Sequence, residues 1–440
     1  MNPLPEQSRR EFIKSSSAAV IGGALASNLI FPQKSFAQNS ETIKIGLVGC
    51  GGRGSGAAKN ALMADKNVVL VAMGDVFKDR LDTSHANLTA DREVGNRVQV
   101  PQENRYSGFD AYKKVIDSGV DVVLLCAPPA FRPAHAKYAA EKNKHMFCEK
   151  PVCTDAPGYR SFMETVAETK RKKLALVAGF CWRFNHAERA IYDKVLGGEI
   201  GEVRSIYGTY NTGPARQVLT NPAWGPMEVQ LRNWINLLWL SGDHLVEQAI
   251  HNVDLTNWAM NNKMPVKCVA HGGRQVRPEG MFGNIYDHFS VVYEWDNGVR
   301  GFLFCRQQPG CFNENVERIY GSNGTAHVML FNGVPYTTNL KNERVWRYPG
   351  EKNTPNMYEV EHQEMFASIR QGSPRNDGEW LANSSMMGIM GRMAAYTGEE
   401  ISWEMAVNSQ EKLVPDEADL NWDKAPAITP IPVPGQTKFI

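Results

Sequence analysis

Ile43-Lys44-Ile45-Gly46-Leu47-Val48-Gly49-Cys50-Gly51-Gly52-Arg53-Gly54 is the stretch that decides the fold. Its first six residues form a short apolar run that reads as a buried parallel strand. Its last six carry the G-x-G-x-x-G spacing, and an Ala-rich, helix-prone stretch over 57–64 follows. Strand, glycine turn and helix in that order turn a weak pattern into a dinucleotide-binding fingerprint. In it Gly49 makes the tight turn, Gly51 lets the backbone approach a pyrophosphate, and Gly54 packs helix against strand. Gly52 and Arg53 complete the loop. The helix N-terminus offers unpaired N–H groups and the positive end of its dipole to the phosphates.

A second apolar run, Val68-Val69-Leu70-Val71-Ala72-Met73, ends at Gly74-Asp75. Asp75 stands 21 residues after Gly54, near the spacing of about 20 for the carboxylate that accepts from the ribose hydroxyls. A carboxylate there repels a 2′-phosphate, so NAD is expected rather than NADP. Arg80 argues the other way only if it folds back, and a solvated helix face is its commoner place.

Lys and Arg number 48 against 47 Asp and Glu, with no long basic run. Nucleic acid and anionic membrane surfaces are therefore not expected partners. The eight cysteines at 50, 126, 148, 153, 181, 268, 305 and 311 form no C-x-x-C pair. No zinc site and no obligatory disulfide are expected; Cys305 and Cys311, around Pro309-Gly310, are the one pair to check.

Residues 1–37 read as a leader outside the fold. Ser8-Arg9-Arg10-Glu11-Phe12-Ile13-Lys14 carries paired arginines, and a mildly apolar Ala/Gly-rich stretch follows over 18–31. Ser35-Phe36-Ala37 supplies small residues for cleavage before Gln38. The twin arginines point to the Tat machinery and to a periplasmic or otherwise exported protein with no membrane segment once mature. An uncleaved anchor is the alternative, but the apolar stretch is short and broken by glycines. The Tat route carries folded proteins, so the nucleotide is expected to be loaded before export and tightly bound.

At 440 residues the chain is long enough for two domains. Apolar runs alternate with helical patterns to about residue 180, the signature of a doubly wound parallel sheet. Val120-Asp121-Val122-Val123-Leu124-Leu125-Cys126 ends at Ala127-Pro128-Pro129, which places Pro128 at a strand's carboxyl edge, where ligands bind such sheets. Residues 87–106 read as a polar loop insertion. From about 200, strand-like runs at 203–210, 266–272, 288–294, 301–305, 319–320 and 326–330 are separated by turns such as Asp296-Asn297-Gly298 and Ser322-Asn323-Gly324. The expected architecture is α/β: a Rossmann domain over 43–182, then an α+β domain with a largely antiparallel open sheet over 183–400. A Pro-rich extended arm over 401–440 is expected to pack on the surface or on a partner subunit.

Lys150, between Glu149 and Pro151 at a strand's end, is placed to hydrogen-bond a substrate hydroxyl, with desolvation lowering its pKa. An ordinary surface lysine is the alternative. The stretch 242–254 looks like one helix capped near Asp243, with Glu247, His251 and Asp254 on one face at i, i+4 and i+7. A histidine flanked by carboxylates is a proton acceptor whose charged form is stabilised. The same trio serves a metal, which hydride transfer does not need, or simply a polar helix face; no metal is expected.

The combination of Gly49-x-Gly51-x-x-Gly54, Glu149-Lys150-Pro151, Gly179-Phe180-Cys181-Trp182-Arg183-Phe184 and Glu247-x-x-x-His251-x-x-Asp254 resembles the Gfo/Idh/MocA oxidoreductase family over roughly residues 43–400. The resemblance implies a Rossmann domain, a C-terminal domain whose open sheet builds homodimers or homotetramers, and hydride transfer at a sugar or cyclitol carbon. It matches the family's catalytic lysine and histidine to Lys150 and His251. The usual aspartate four residues before the histidine is Glu247 here and the usual glycine two before it is Ala249, which marks a subfamily with a different substrate. Trp182, Arg183, Tyr210, Arg232, Trp234 and Asp254 are the candidates for binding a carbohydrate, with core packing the alternative for each tryptophan.

The leading expectation is an exported NAD-dependent oxidoreductase of a sugar or glycoside hydroxyl. An NAD-dependent glycosidase working through a transient 3-keto intermediate is the second, although the exported glycosidases of this superfamily lack a clear Glu-Lys-Pro. A non-catalytic sugar-binding protein is the third.

Overall fold

The computed structural model describes residues 41–440 except 215–217, 278–281, 332 and 352–353. The leader expected over 1–37 lies outside the described residues. Six strands, β1 (Ile43–Val48), β2 (Val68–Asp75), β3 (Arg105–Ser107), β4 (Val122–Leu125), β5 (His145–Cys148) and β6 (Leu176–Ala178), form a parallel sheet in the order β3-β2-β1-β4-β5-β6. Helices Gly52–Ala64, Lys78–Ala90, Ala111–Asp117, Arg132–Glu141 and Ala156–Arg171 alternate with them. β1 is a continuously apolar strand because it is paired on both sides, Ile45 with Leu70 of β2 and with Val122 of β4. The chain reverses direction of strand order between β1 and β4, which opens a crevice at their carboxyl ends.

A second sheet has nine strands. β7 (Val203–Thr212), β8 (Lys267–Gly273), β9 (His288–Glu294), β10 (Arg300–Gln307), β11 (Asn315–Gly321), β12 (Gly324–Met329), β13 (Tyr336–Asn339), β14 (Arg344–Arg347) and β15 (Ile401–Ser402) run in the order β14-β13-β12-β11-β7-β10-β9-β8-β15. All pairs are antiparallel except β7–β10. Asp296-Asn297-Gly298 and Ser322-Asn323-Gly324 turn the β9–β10 and β11–β12 hairpins. Helix Gly378–Thr397, buried along nearly its whole length, packs across β8 and β9.

Three expectations of local structure are corrected. Residues 87–106 are not one loop: the helix runs on to Ala90 and the edge strand β3 pairs with β2. The stretch 242–254 is not one helix but two, His244–Glu247 and Ile250–Ala259, broken at Gln248-Ala249. The last forty residues are not uniformly extended, since β15 and helix Trp403–Asn408 precede the arm. That arm then packs on its own chain, where Gln230 Nε2 donates to Pro426 O at 2.7 Å and Tyr286 Oη to Pro432 O at 2.7 Å. Cys305 is buried in β10, Cys311 is exposed, and both are free thiols. Among the described residues no helix is long and apolar enough to cross a membrane.

Candidate active site

A cavity of about 710 Å³ opens over the carboxyl ends of β1, β2, β4 and β5. One end is floored by Gly49–Gly54. An added Cβ on Gly54 would stand 1.8 Å from Gly49 O, and one on Gly49, at φ +94°, would stand 2.5 Å from Ala127 N. These two glycines are dictated by close approach and backbone conformation. Gly51 and Gly52 are the opposite case, with nothing within 4 Å of where a Cβ would be. Their bare backbone faces the space in which a Cβ would crowd a ligand. The helix that starts at Gly52 has no side-chain cap and no acid in its first turn, so its orphan N–H groups remain for an anion. The loop therefore fits a dinucleotide pyrophosphate by its own geometry.

Asp75, Pro128, Arg53, Glu149, Lys150 and His251 all line the same cavity. Asp75 accepts from Cys50 N at 2.6 Å and Phe77 N at 2.9 Å, one on each carboxylate oxygen. Burial raises its pKa while those two N–H groups pull the other way. Both bonds fix the carboxylate at the end of β2, with its remaining lone pairs available to ribose hydroxyls.

The chemistry-bearing end is set by the broken helix. In a continuous helix Glu247 O would accept from His251 N. Here His251 N turns to Gln248 O, at 3.4 Å, and Lys150 Nζ donates to Glu247 O at 2.6 Å. The break frees a carbonyl that holds the lysine. Glu247 Oε1 lies 3.6 Å from the same ammonium. His251 has its Nδ1 buried without a partner, and its pKa is pushed well below 6.5 by burial and by the Lys150 and Arg53 cations. These effects run against the imidazolium expected from the carboxylate spacing. Asp254 does not face His251: both its oxygens take the Arg183 guanidinium at 2.8 Å, and Oδ1 also accepts from Ser384.

Glu149 connects the lysine to the glycine loop. Its Oε2 accepts from Lys150 N at 3.1 Å, its Oε1 binds Arg53 Nε, and Arg53 Nη2 donates to Glu361 Oε1 at 2.9 Å. Burial works against the Arg53 charge, but Glu149 and Glu361 more than offset it and raise its pKa. The Lys150–Pro151 bond is cis.

The carbohydrate-binding candidates divide. Trp234 lines the cavity. The Tyr210 ring lies 6.4 Å from His251 and 6.3 Å from His244, beside the cavity. Arg232 is outside its lining, held bidentate on Asp79 at 3.0 Å and bonded to Glu228 while its guanidinium covers Phe77. Trp182 is buried in the second domain's core, edge-on to Phe331. Arg183 and Asp254 form a buried ion pair, with Arg183 also stacked on Trp380 and Trp258. Such a pair holds helix Ile250–Ala259 in place, and neither residue is in the cavity lining.

Sequence reasoning missed Glu361, Tyr358, Phe109 and Tyr112. The last three line the cavity, and Glu361 grips Arg53 from behind it. Tyr358 and Glu361 come from a helix, Met357–Arg370, that carries no motif of its own. Among the described residues no cluster of His, Cys, Asp and Glu is arranged to hold a metal ion.

Comparison with known proteins agrees with the fold. Residues 43–179 match the model described as "Oxidoreductase family, NAD-binding Rossmann fold", and residues 189–327 match the "GFO/IDH/MocA C-terminal domain". The chain is 26% identical to the myo-inositol 2-dehydrogenase of Thermotoga maritima over 284 residues, 64% of this chain and 74% of that protein. Among solved structures it superimposes on aldose-aldose oxidoreductase of Caulobacter crescentus with a TM-score of 0.64, at 17% identity over 82% of this chain and 99% of that one. It superimposes on scyllo-inositol dehydrogenase of Lactobacillus casei with a TM-score of 0.63, at 19% identity over 83% of this chain and 99% of that one.

Proposed function

The chain belongs to the Gfo/Idh/MocA oxidoreductase family, and from that premise we propose that it is an NAD-dependent dehydrogenase of a sugar or cyclitol hydroxyl. The observation that carries the reading is that Lys150 and His251, about a hundred positions apart in the chain, line one cavity with the glycine loop. The relatives named as inositol and aldose oxidoreductases favour a polyhydroxylated ring as substrate.

Gly49–Gly54 and Asp75 would hold the nicotinamide dinucleotide, which would supply the hydride acceptor for the carbinol carbon. The protein's part is the proton and the geometry. Lys150, fixed by the Glu247 carbonyl, donates a hydrogen bond to the reacting oxygen and stabilises charge as it develops there. His251 lines the cavity with Lys150, and burial with the Lys150 and Arg53 cations lowers its pKa and favours the neutral imidazole, the form that can take the hydroxyl proton. Glu247 balances the Lys150 charge. Trp234, in the cavity lining, offers a flat face on which a sugar ring stacks, and the Tyr210 ring lies beside His251. Asp75 favours NAD over NADP by repelling a 2′-phosphate.

Export with the nucleotide already aboard, and assembly into a homodimer or homotetramer through the nine-stranded sheet, belong to the same proposal. The test is to incubate the purified protein and NAD with inositols, free aldoses and aryl glycosides. A keto product with NADH supports the dehydrogenase. Aglycone release without net NADH overturns it in favour of a glycosidase.

A further inference from the structure

The structure assigns the C-terminal arm to the cofactor site: Glu417 and Trp422 hold shut the wall around the adenosine half and slow the release of the nucleotide. This rests on the reading that the cavity takes NAD, and adds how that nucleotide is retained.

The cavity end remote from Lys150 is walled by Val76, Phe77 and Asp79 after β2 and by Phe109 and Tyr112 after β3. Asp75, the carboxylate placed for the ribose, stands at the root of this wall. The arm lies directly behind it. Both oxygens of Glu417 accept from Tyr112 Oη at 3.1 Å, and the same carboxylate pairs with Lys113 Nζ at 2.7 Å. The Trp422 ring lies 4.9 Å from that of Phe109 and 5.8 Å from that of Phe77. One tryptophan thus clamps together two aromatic residues from separate loops of the Rossmann domain.

The strap is tied down on either side of these contacts. Upstream, Leu413 N and Val414 N donate to Asp155 Oδ2 at 2.8 and 3.3 Å. Asp155 also caps helix Ala156–Arg171, which leads away from the Lys150 strand. Downstream, Pro426 O accepts from Gln230, and Gln230 Oε1 in turn accepts from Trp239 Nε1 at 2.8 Å. Phe77 is left only 5% exposed, covered by Arg232 at 4.0 Å as well as by Trp422. A wall pinned at two points does not move without breaking the Trp422 and Glu417 contacts. An adenosine half seated against it leaves only when the arm loosens.

The experiment measures the dissociation rate of NADH from the full-length protein by stopped-flow displacement with excess NAD. The variants are Trp422→Ala, Glu417→Gln and the two combined, with Ile431→Ala as a control beyond the last contact with the wall. We expect a rise of about tenfold for Trp422→Ala, a further rise in the combined variant, and none in the control. Rates within twofold of the unaltered protein in all three variants overturn the assignment. Should Trp422→Ala fail to fold, Glu417→Gln, which keeps the shape of the exposed side chain, decides alone. If the unaltered protein binds no NADH, the reading of the cavity itself falls, a result distinct from unchanged rates in a protein that does bind.

Discussion

The ammonium of Lys150 is held by one backbone carbonyl and one carboxylate, both from Glu247. Replacing it with alanine removes the donor to the reacting oxygen while leaving the glycine loop and Asp75 in place. We predict that Lys150→Ala loses turnover by about 10²-fold or more with nucleotide affinity nearly unchanged; steady-state kinetics and calorimetric NAD titration check the two halves separately. His251 makes a pH prediction. Its pKa lies well below 6.5, so the neutral, proton-accepting form persists on the acid side. The acid limb of kcat/KM for oxidation should therefore lie below pH 6.5, and His251→Asn should abolish that limb together with most of the rate. At this scale the sequence was informative where the chemistry is contiguous, as in Glu149-Lys150-Pro151. It was silent about Glu361, whose partner Arg53 is 308 positions away. It misread Asp254 because spacing on an ideal helix says nothing of Arg183, whose cation takes that carboxylate.

Elements place these side chains, and the glycine loop is the element least tolerant of change. A Cβ at Gly54 meets the Gly49 carbonyl at 1.8 Å, so the loop must shift to admit it. Gly54→Ala should weaken NAD binding by at least about tenfold and cost on the order of 1–3 kcal/mol of stability, read by titration and by denaturant unfolding. A second prediction concerns how β11 is joined to its covering helices. Glu317 on β11 is fully buried and accepts from Tyr192 Oη at 2.8 Å and Thr256 Oγ1 at 3.1 Å. Burial raises its pKa from 4.5 to about 8. Between those values the folded state keeps a proton that the unfolded state has lost, so stability falls as pH rises through the window. The slope from this one group is about 1.4 kcal/mol per pH unit. Glu317→Gln should flatten the stability profile between pH 4.5 and about 8 relative to the unaltered protein; parallel profiles would contradict the assignment. The strands of the second sheet were visible where turn chemistry flanks them, as at Asp296-Asn297-Gly298. The short β15 carries no such pattern, and the Asn339–Glu343 turn between β13 and β14 lacks the glycine of the other two hairpin turns. The reading of 242–254 as one helix fails at Gln248-Ala249, where the freed Glu247 carbonyl takes Lys150, a tertiary contact that no local propensity records.

At the scale of the molecule, a parallel sheet supplies the nucleotide-binding edge. The segment between β7 and β8 supplies the residues that meet Lys150, and the C-terminal arm packs behind the far wall. The arm's Pro-rich composition made its extended form legible but not where it docks, since Trp422 and Glu417 are matched to residues about three hundred positions earlier in the chain. The proposed export has its own test: fusing residues 1–37 to a folded reporter should deliver it across the inner membrane of a Tat-competent host. Arg9→Lys with Arg10→Lys should stop that delivery. The account as a whole is tested most directly by following the hydride. The purified protein with NAD is given inositols and aldoses deuterated at their carbinol carbons, and the nucleotide is analysed by mass spectrometry. We predict deuterated NADH from at least one polyol, formed about 10²-fold or more slowly with Lys150→Ala although that variant still binds NAD. Bound NAD that gains no deuterium from any of them, or full transfer in the Lys150→Ala variant, would contradict the account.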